Sequence, residues 1–214
     1  MSLQLILGSS GAGKSHYVYE KIIGESGKHP ERQYLVLVPE QFTMQTQKKL
    51  VEMHPGGGIL NIDVLSFQRL AYRVFEEVGG DRRKLLEETG KSLILQRIVQ
   101  EQRENLPYLG SQMKKPGYIE EVKSVLSELM QYEVSPENLE ELLADCGERP
   151  LLCRKLRDIG VLYQAFQEFL RDHYMTGEEV LDALTEVIGA SEKIRGSVVV
   201  LDGYTGFTPI QLRV

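Results

Sequence analysis

The residues from 8 to 15 have the types and spacing of a phosphate-binding loop. They match the pattern G-x-x-x-x-G-K-[ST] at every fixed position. Glycines let the backbone fold so tightly that successive amide groups point into one concavity, where they hold phosphate oxygens. The Lys14 cation suits the β- and γ-phosphates of a nucleotide, and the Ser15 hydroxyl is a ligand for Mg²⁺. We therefore expect a nucleoside triphosphate to bind at Gly8, Ser9, Ser10, Gly11, Ala12, Gly13, Lys14 and Ser15.

A second group of residues, near the C-terminus, suits the same metal ion. The apolar run Val198–Leu201 is followed by Asp202, which is the form of a Walker B strand ending in an acid. An α/β sheet presents its ligand site at the carboxyl ends of its strands. Asp202 is therefore expected to contact Mg²⁺ through a water molecule, opposite Ser15; the alternative is an aspartate that only begins a turn with Gly203.

The position after Asp202 decides what the site can do. P-loop motors usually carry a glutamate there, which polarises the attacking water, whereas this chain has Gly203. Neither Tyr204 nor Thr205 is a suitable base. The sequence therefore predicts nucleotide binding, and we assign no catalytic residue.

The N-terminal part of the chain, up to about position 80, alternates between apolar runs and helical patterns. The run Tyr34–Val38 is continuous and β-prone, as expected for a strand buried on both faces. Strands that alternate with helices imply a parallel sheet with helices on its faces. The predicted strands are 3–7, 34–38 and 59–65, and the predicted helices are 14–23 (ended by Gly24), 42–53 and one that is capped by Ser66.

The middle of the chain has helical periodicity and no convincing strand between Leu85 and Ile188. Ser135 and Thr176 are the predicted N-caps of two of its helices. The helices are expected near 90–105, 118–133, 136–144, 150–174 and 178–188. We therefore predict an α/β protein with a P-loop NTPase (RecA-like) parallel-sheet domain, formed by residues 1–84 and 190–214 and incomplete at its C-terminus, and an all-helical insertion at 85–189.

Composition and charge limit the function classes. The 214 residues are 42% hydrophobic and 26% charged, which suits a globular protein, and no apolar run is long enough to cross a membrane. Cys146 and Cys153 match neither a zinc pair nor a redox motif, which predicts reduced thiols in a cytoplasmic protein. The net charge of -6, with nine acids against one base between Glu120 and Glu148, argues against a surface that clamps nucleic acid throughout.

The order of these motifs resembles the first motor domain of superfamily 1 helicases of the UvrD type. The phosphate loop is followed by Val38–Thr43 (VPEQFT) and by Leu65–Leu70 (LSFQRL), which resembles the T-F-H motif of that group. A helical insertion before the Walker B strand is also the helicase arrangement. The wording at Leu7–Ser15, 38–43 and Leu201–Pro209 (LDGYTGFTP) is similar to AddB-type subunits of the AddAB helicase–nuclease of Firmicutes. The helical middle is matched only by position.

The resemblance implies the N-terminal part of an ATP-dependent helicase/deoxyribonuclease subunit in double-strand-break recombinational repair. It implies ATP and Mg²⁺ as cofactors, with Lys14 and Ser15 at the phosphates and metal and Asp202 as the second metal contact. The implied partners are DNA and an AddA-type subunit that does the translocation, while the AddB-type motor scans for a Chi-like signal and no longer drives. The nuclease domain and the 4Fe-4S cluster of the family lie downstream, and Cys146 and Cys153 do not match the cluster ligands.

Two other interpretations remain open at this stage. The first is a small P-loop kinase, because Leu201–Tyr204 (LDGY) is similar to a segment of adenylate kinases; those enzymes continue with Pro-Arg, whereas this chain continues with Thr205-Gly206. The second is a nucleotide-sensing scaffold that does not contact DNA. Phosphoryl transfer to nucleoside monophosphates would identify the kinase, and ATP binding that is indifferent to DNA would identify the scaffold.

We predict that this chain by itself binds DNA weakly and in a salt-sensitive way. Its net charge opposes binding, and only a local basic group favours it: Arg69, Arg73, Arg82, Arg83 and Lys84. If two or three phosphates are contacted, affinity for a labelled single-stranded oligonucleotide should fall roughly seven- to twentyfold between about 50 and 200 mM salt. Tight, sequence-specific binding at physiological salt, measured by fluorescence anisotropy, would contradict this interpretation of the charge.

Overall fold

The computed structural model describes residues 3–80, 83–144, 146–147, 149–171 and 174–214. Arg82 of the basic group and two acids of the 120–148 segment, Asp145 and Glu148, lie outside the described residues. The chain divides into two compact units. The first unit consists of the described residues up to Gly80 and of Leu184–Phe207. The second unit consists of the described residues from Arg83 to Ala183 and of Thr208–Val214.

The described residues form short strands and longer helices. The strands are β1 (Tyr34–Leu37), β2 (Ile62–Leu65), β3 (Lys84–Leu85), β4 (Tyr174–Met175) and β5 (Val198–Leu201). The helices are α1 (Lys14–Lys28), α2 (Thr43–Met53), α3 (Phe67–Val78), α4 (Glu88–Glu101), α5 (Pro116–Gln131), α6 (Pro136–Ala144), α7 (Pro150–Leu170), α8 (Gly177–Val187), α9 (Glu192–Gly196) and α10 (Pro209–Arg213). Among these helices none is both long and apolar enough to cross a membrane.

The first unit is built on a three-stranded parallel sheet in the order β2-β1-β5. β1 is buried along its whole length, which explains its uninterrupted apolar sequence. β5 lies at an edge of this sheet and alternates between partly buried and exposed residues, so that Val199 and Leu201 remain about half exposed. The predicted α/β class with a parallel sheet is therefore confirmed.

The predicted strand at residues 3–7 is wrong. These residues adopt no regular secondary structure, and Leu3, Leu5 and Leu7 are exposed to solvent. An apolar run becomes a strand only where a neighbouring strand accepts its backbone hydrogen bonds. No described segment pairs with residues 3–7, so local propensity alone does not form the strand.

The first helix is longer than its sequence suggests. The prediction that it ends at Gly24 is wrong, because α1 continues to Lys28. A glycine inside a helix costs only about 1 kcal/mol relative to alanine, and the burial of Tyr19, Ile22 and Ser26 extends along the same face. The predictions for α2 and α3 are confirmed, including the cap of α3, where the Ser66 hydroxyl accepts from the Arg69 amide at 3.3 Å.

The second unit is mostly helical, as predicted, and α4 to α8 follow the expected ranges within a few residues. The Ser135 hydroxyl accepts from the Asn138 amide, and Thr176 and Glu179 form a reciprocal capping pair, so both predicted caps are confirmed. The expectation of no strand in this part of the chain is wrong, because β3 and β4 pair in parallel. Strands of two residues are too short to produce a period in the sequence.

The helical unit keeps two charged groups in its interior. Asp158 on α7 is fully buried; its Oδ2 atom accepts from the amides of Tyr108 and Leu109 at 2.9 and 2.6 Å, whereas Oδ1 makes no hydrogen bond with the described residues. Lys91 on α4 is buried and forms an ion pair with Glu178 at 3.0 Å. A buried charge is tolerated only when it is paired or hydrogen-bonded, and each of these has such partners.

The two cysteines are joined as a disulfide, so the prediction of reduced thiols is wrong for this structure. Cys146 follows α6 and Cys153 lies in the first turn of α7. The turn between the two helices brings the Cα atoms of Cys146 and Cys153 to 5.8 Å from each other, which is within the range that a disulfide spans. The prediction that they form no zinc pair is not affected.

Candidate functional site

The loop that precedes α1 has the backbone conformation that its glycines predict. Gly11 and Gly13 lie in the left-handed region, with φ of 77° and 80°, where residues with a Cβ atom are disfavoured. A turn spans Ser9 to Ala12, because the Ala12 amide donates to the Ser9 carbonyl at 3.3 Å. The loop from Gly8 to Gly13, including Ser10, is exposed, so its backbone is accessible to a ligand.

The N-terminus of α1 is suited to an anion. Gly13 is the N-cap and offers no side chain to the first-turn amides, and the first turn contains no acidic residue. The free amides and the positive end of the helix dipole therefore remain available for negative charge. The 15-residue helix α1 therefore presents positive potential at the point where the glycine loop ends.

Lys14 lies over its own loop. Its Nζ atom donates to the carbonyl oxygens of Gly8 and Ser9 at 2.9 and 2.8 Å. The loop folds back closely here, since a Cβ atom added at Gly8 would lie 3.3 Å from the Cβ of Ala12. The ammonium group is thus held at the loop by neutral carbonyl acceptors.

The structure brings the two predicted metal residues together. The Ser15 hydroxyl donates to Oδ1 of Asp202 at 2.9 Å, although the two residues are 187 positions apart. Asp202 directly follows β5, and its amide donates to the Leu37 carbonyl at 3.0 Å, which continues the ladder with β1. The end of the sheet therefore fixes the aspartate opposite the first turn of α1.

Tyr19 is a member of this site that the sequence did not reveal. Its hydroxyl donates to Oδ2 of Asp202 at 2.6 Å, and its side chain is 3% exposed. Burial, and then the hydrogen bond to Asp202, raise the pKa of the Tyr19 phenol well above its usual range, so the phenol keeps its proton. Its spacing of four from Ser15 places both hydroxyls on one helix face, which was the available signal.

Gly203 occupies the place next to Asp202 with φ of 78°. A Cβ atom there would meet the side chains of Pro39 and Phe42 at 3.6 and 3.8 Å, so the turn leaves ordinary contact room but is conformationally suited to glycine. The following residue, Tyr204, packs edge-on against Phe67. Burial, followed by the charge of Glu40, raises the pKa of Tyr204 to about 12, so it cannot act as a base near neutral pH.

The basic group that the sequence singles out is partly neutralised. Arg69 pairs with Glu40 at 3.2 Å, and Arg73 pairs with Asp63 at 2.5 Å. In the helical unit Arg83 pairs with Glu179 at 3.3 Å. The paired arginines offer less free charge to a phosphate backbone than a count of residues implies.

The oxygen atoms at Ser15 and Asp202 suit Mg²⁺. A hydroxyl and a carboxylate are hard ligands, and magnesium is commonly held by one or two protein oxygens together with phosphates and water. Within the described residues no cluster of three or more His, Cys, Asp or Glu could hold a metal by itself. The pair fits a magnesium ion that a nucleotide completes, rather than a metal caged by protein alone.

Comparison with known proteins assigns the chain to a family. Residues 5–214 match the family described as ADDB, N-terminal, so the chain belongs to that family, and the resemblance to AddB-type subunits is confirmed. It is 50% identical over its whole length to a protein of Lachnoclostridium phytofermentans, of which it covers 19%. It is 36% identical over its whole length to one of Alkaliphilus metalliredigens, again covering 19%, and 38% identical over 98% of its length to one of Clostridium kluyveri, covering 18%.

Each of these three relatives is named as the B-type subunit of an ATP-dependent helicase/deoxyribonuclease. The present chain spans about a fifth of their length. The word subunit in the name implies that each relative works with a partner.

Substitution of glycine by alanine should have opposite effects on the free energy of unfolding at Gly13, in the loop, and at Gly24, in α1. Gly13→Ala should lower the free energy of unfolding by about 1–2 kcal/mol, because a Cβ atom is strained in the left-handed region. Gly24→Ala should raise it by about 0.5–1 kcal/mol, because Gly24 lies inside α1 with open space around it. Urea denaturation of both variants measures the difference, and effects of the same sign would contradict the loop geometry.

Proposed function

We propose that this chain is the nucleotide-binding, helicase-like N-terminal domain of the AddB-type subunit of an ATP-dependent helicase/deoxyribonuclease. The proposal includes a P-loop NTPase fold that binds ATP and Mg²⁺ at residues 8–15. The observation that carries it is the hydrogen bond between Ser15 and Asp202, which closes the end of the sheet onto the glycine loop. Membership of the AddB N-terminal family and the names of the relatives support the biological setting.

The loop and helix would bind the triphosphate through their backbone. The exposed loop from residue 8 to 13 and the uncapped N-terminus of α1 offer amide donors and positive potential. Lys14 donates to two neutral carbonyls in the structure. Because phosphate oxygens carry negative charge and carbonyl oxygens do not, they would compete well for its ammonium group.

Ser15 and Asp202 would hold the magnesium ion. When bound there, Mg²⁺ would neutralise part of the negative charge of the nucleotide phosphates. Ser15 supplies a hydroxyl oxygen and Asp202 a carboxylate, already within hydrogen-bonding distance of each other. The pair would therefore need little rearrangement to bind the ion, so the site is preorganised.

The proposed domain binds nucleotide without turning it over efficiently. Gly203 provides no side chain to orient water, and Tyr204 keeps its proton. A silent motor suits a subunit that scans DNA for a Chi-like signal while an AddA-type partner in the same cytoplasmic complex translocates. Family membership argues against the small kinase, and a test for DNA binding separates the proposal from a scaffold without DNA contact.

Lys14→Ala is expected to weaken nucleotide binding. Hydrogen bonds to charged groups contribute about 1.5–3 kcal/mol each, so the dissociation constant of labelled ATP should rise roughly ten- to more than a hundredfold. The matched control is Lys28→Ala, which removes the same charge at the other end of α1, where Lys28 only pairs with exposed Glu25. Equal affinity of Lys14→Ala and the unaltered chain in a titration would defeat the proposal.

Hydrolysis of ATP by this chain is expected to be slow. The absence of a positioned base removes a factor of about 10²–10⁴ from the rate, and this loss acts on the transition state, so affinity should remain. Steady-state phosphate release should therefore stay well below about one per second, the lower end of ordinary enzyme turnover. Lys14→Ala controls for contaminating ATPases, and turnover that depends on Lys14 at about one per second or faster would return the chain to the active motors.

A further inference from the structure

We propose that Tyr19 is a positioning residue for the magnesium site: its phenol orients the Asp202 carboxylate toward Ser15. The inference rests on the proposed function, since it assigns a role within the same site. It identifies a side chain outside the phosphate-binding motif on which the metal contact depends.

The geometry assigns one hydroxyl to each carboxylate oxygen. Ser15 donates to Oδ1 of Asp202 at 2.9 Å, and Tyr19 donates to Oδ2 at 2.6 Å. Both donors come from the same face of α1, one helical turn apart. A carboxylate held at both oxygens has little freedom to rotate, so the oxygen that faces Ser15 is determined by the bond that Tyr19 makes to the other.

Tyr19 is itself held more firmly than the group it contacts. It is 3% exposed and belongs to the core that α1 forms with β1, where Ile22 and Val36 are also buried. From α2, Nζ of Lys49 lies 5.3 Å from the centre of the Tyr19 ring. Because the ring is fixed by packing in the core, the phenol can position the carboxylate.

This arrangement predicts that removal of the Tyr19 hydroxyl lowers the affinity for Mg²⁺ selectively. Partners that orient a ligating carboxylate typically contribute about ten- to a hundredfold to metal affinity. The donors expected to hold the phosphates are the loop amides and Lys14, and Tyr19 is not among them. Loss of the Tyr19 hydroxyl should therefore affect nucleotide binding only where Mg²⁺ takes part in it.

The test is Tyr19→Phe in the full-length protein, titrated with labelled ATP in EDTA and then across a range of Mg²⁺ concentrations. The same titration of Lys14→Ala gives the background, because that variant should bind at this site at least about tenfold more weakly. We expect the affinity in EDTA to change less than about twofold, while the Mg²⁺ concentration at half-maximal enhancement rises about ten- to a hundredfold. The matched control is Tyr17→Phe, two residues along α1, where the side chain is half exposed; it should behave as the unaltered protein.

A double variant separates an effect that passes through the carboxylate from a perturbation of the fold by Tyr19→Phe, which a loss of affinity in EDTA would also reveal. Asp202→Asn should itself raise the Mg²⁺ requirement, and adding Tyr19→Phe to it should cause no further increase if the phenol acts through the carboxylate. An unchanged Mg²⁺ requirement in Tyr19→Phe, or additive effects in the double variant, would overturn the inference alone. Absence of binding that depends on Lys14 in the unaltered protein would instead overturn the proposed function.

Discussion

The parallel pairing of β5 with β1 is the constraint on which the candidate site depends. The register places Leu201 beside Leu37, and the ladder continues through the Asp202 amide to the Leu37 carbonyl. A residue 187 positions from Ser15 thus arrives at hydrogen-bonding distance from it. Without this pairing Asp202 would not lie within hydrogen-bonding distance of Ser15.

β1 can perform this task because it has a strand on either side and is buried throughout. Its apolar residues form a core with α1 and α2, and that core also contains the Tyr19 ring. The same packing that stabilises the sheet therefore fixes the group that holds Asp202. Stability and site geometry are here two consequences of one set of contacts.

The site has the parts for binding a charged ligand, and the turn beside it is shaped by glycine and aromatic rings. Gly203 has a positive φ and neighbours from Pro39 and Phe42, while Tyr204 packs against Phe67. Phosphoryl transfer is catalysed by positioning and by charge placement, and the residue after Asp202 contributes neither. The glycine loop is suited to phosphate, whereas the position after Asp202 lacks a base. This contrast supports the proposal of a nucleotide-binding domain whose motor is inactive.

Several features could be predicted from the sequence because their causes are local. The positive φ angles at Gly11 and Gly13 follow from the absence of a Cβ atom, and the caps at Ser66 and Thr176 from side chains that reach amides three residues on. The helical middle followed from its periodicity. Asp202 was identified because an apolar run that ends in an acid is a pattern of consecutive residues.

Other features depended on partners that are distant in the sequence. Residues 3–7 have the composition of a strand, but a strand exists only with a neighbour to accept its hydrogen bonds, and none of the described segments does so. The extension of α1 past Gly24 reflects burial of a face, and the disulfide reflects a turn that brings two helices together. The sequence by itself determined the loop, the helix that follows it and the acid at the end of β5. Only the tertiary structure decided that Tyr19 shares that acid with Ser15, because this contact requires the sheet to place Asp202 against one face of α1.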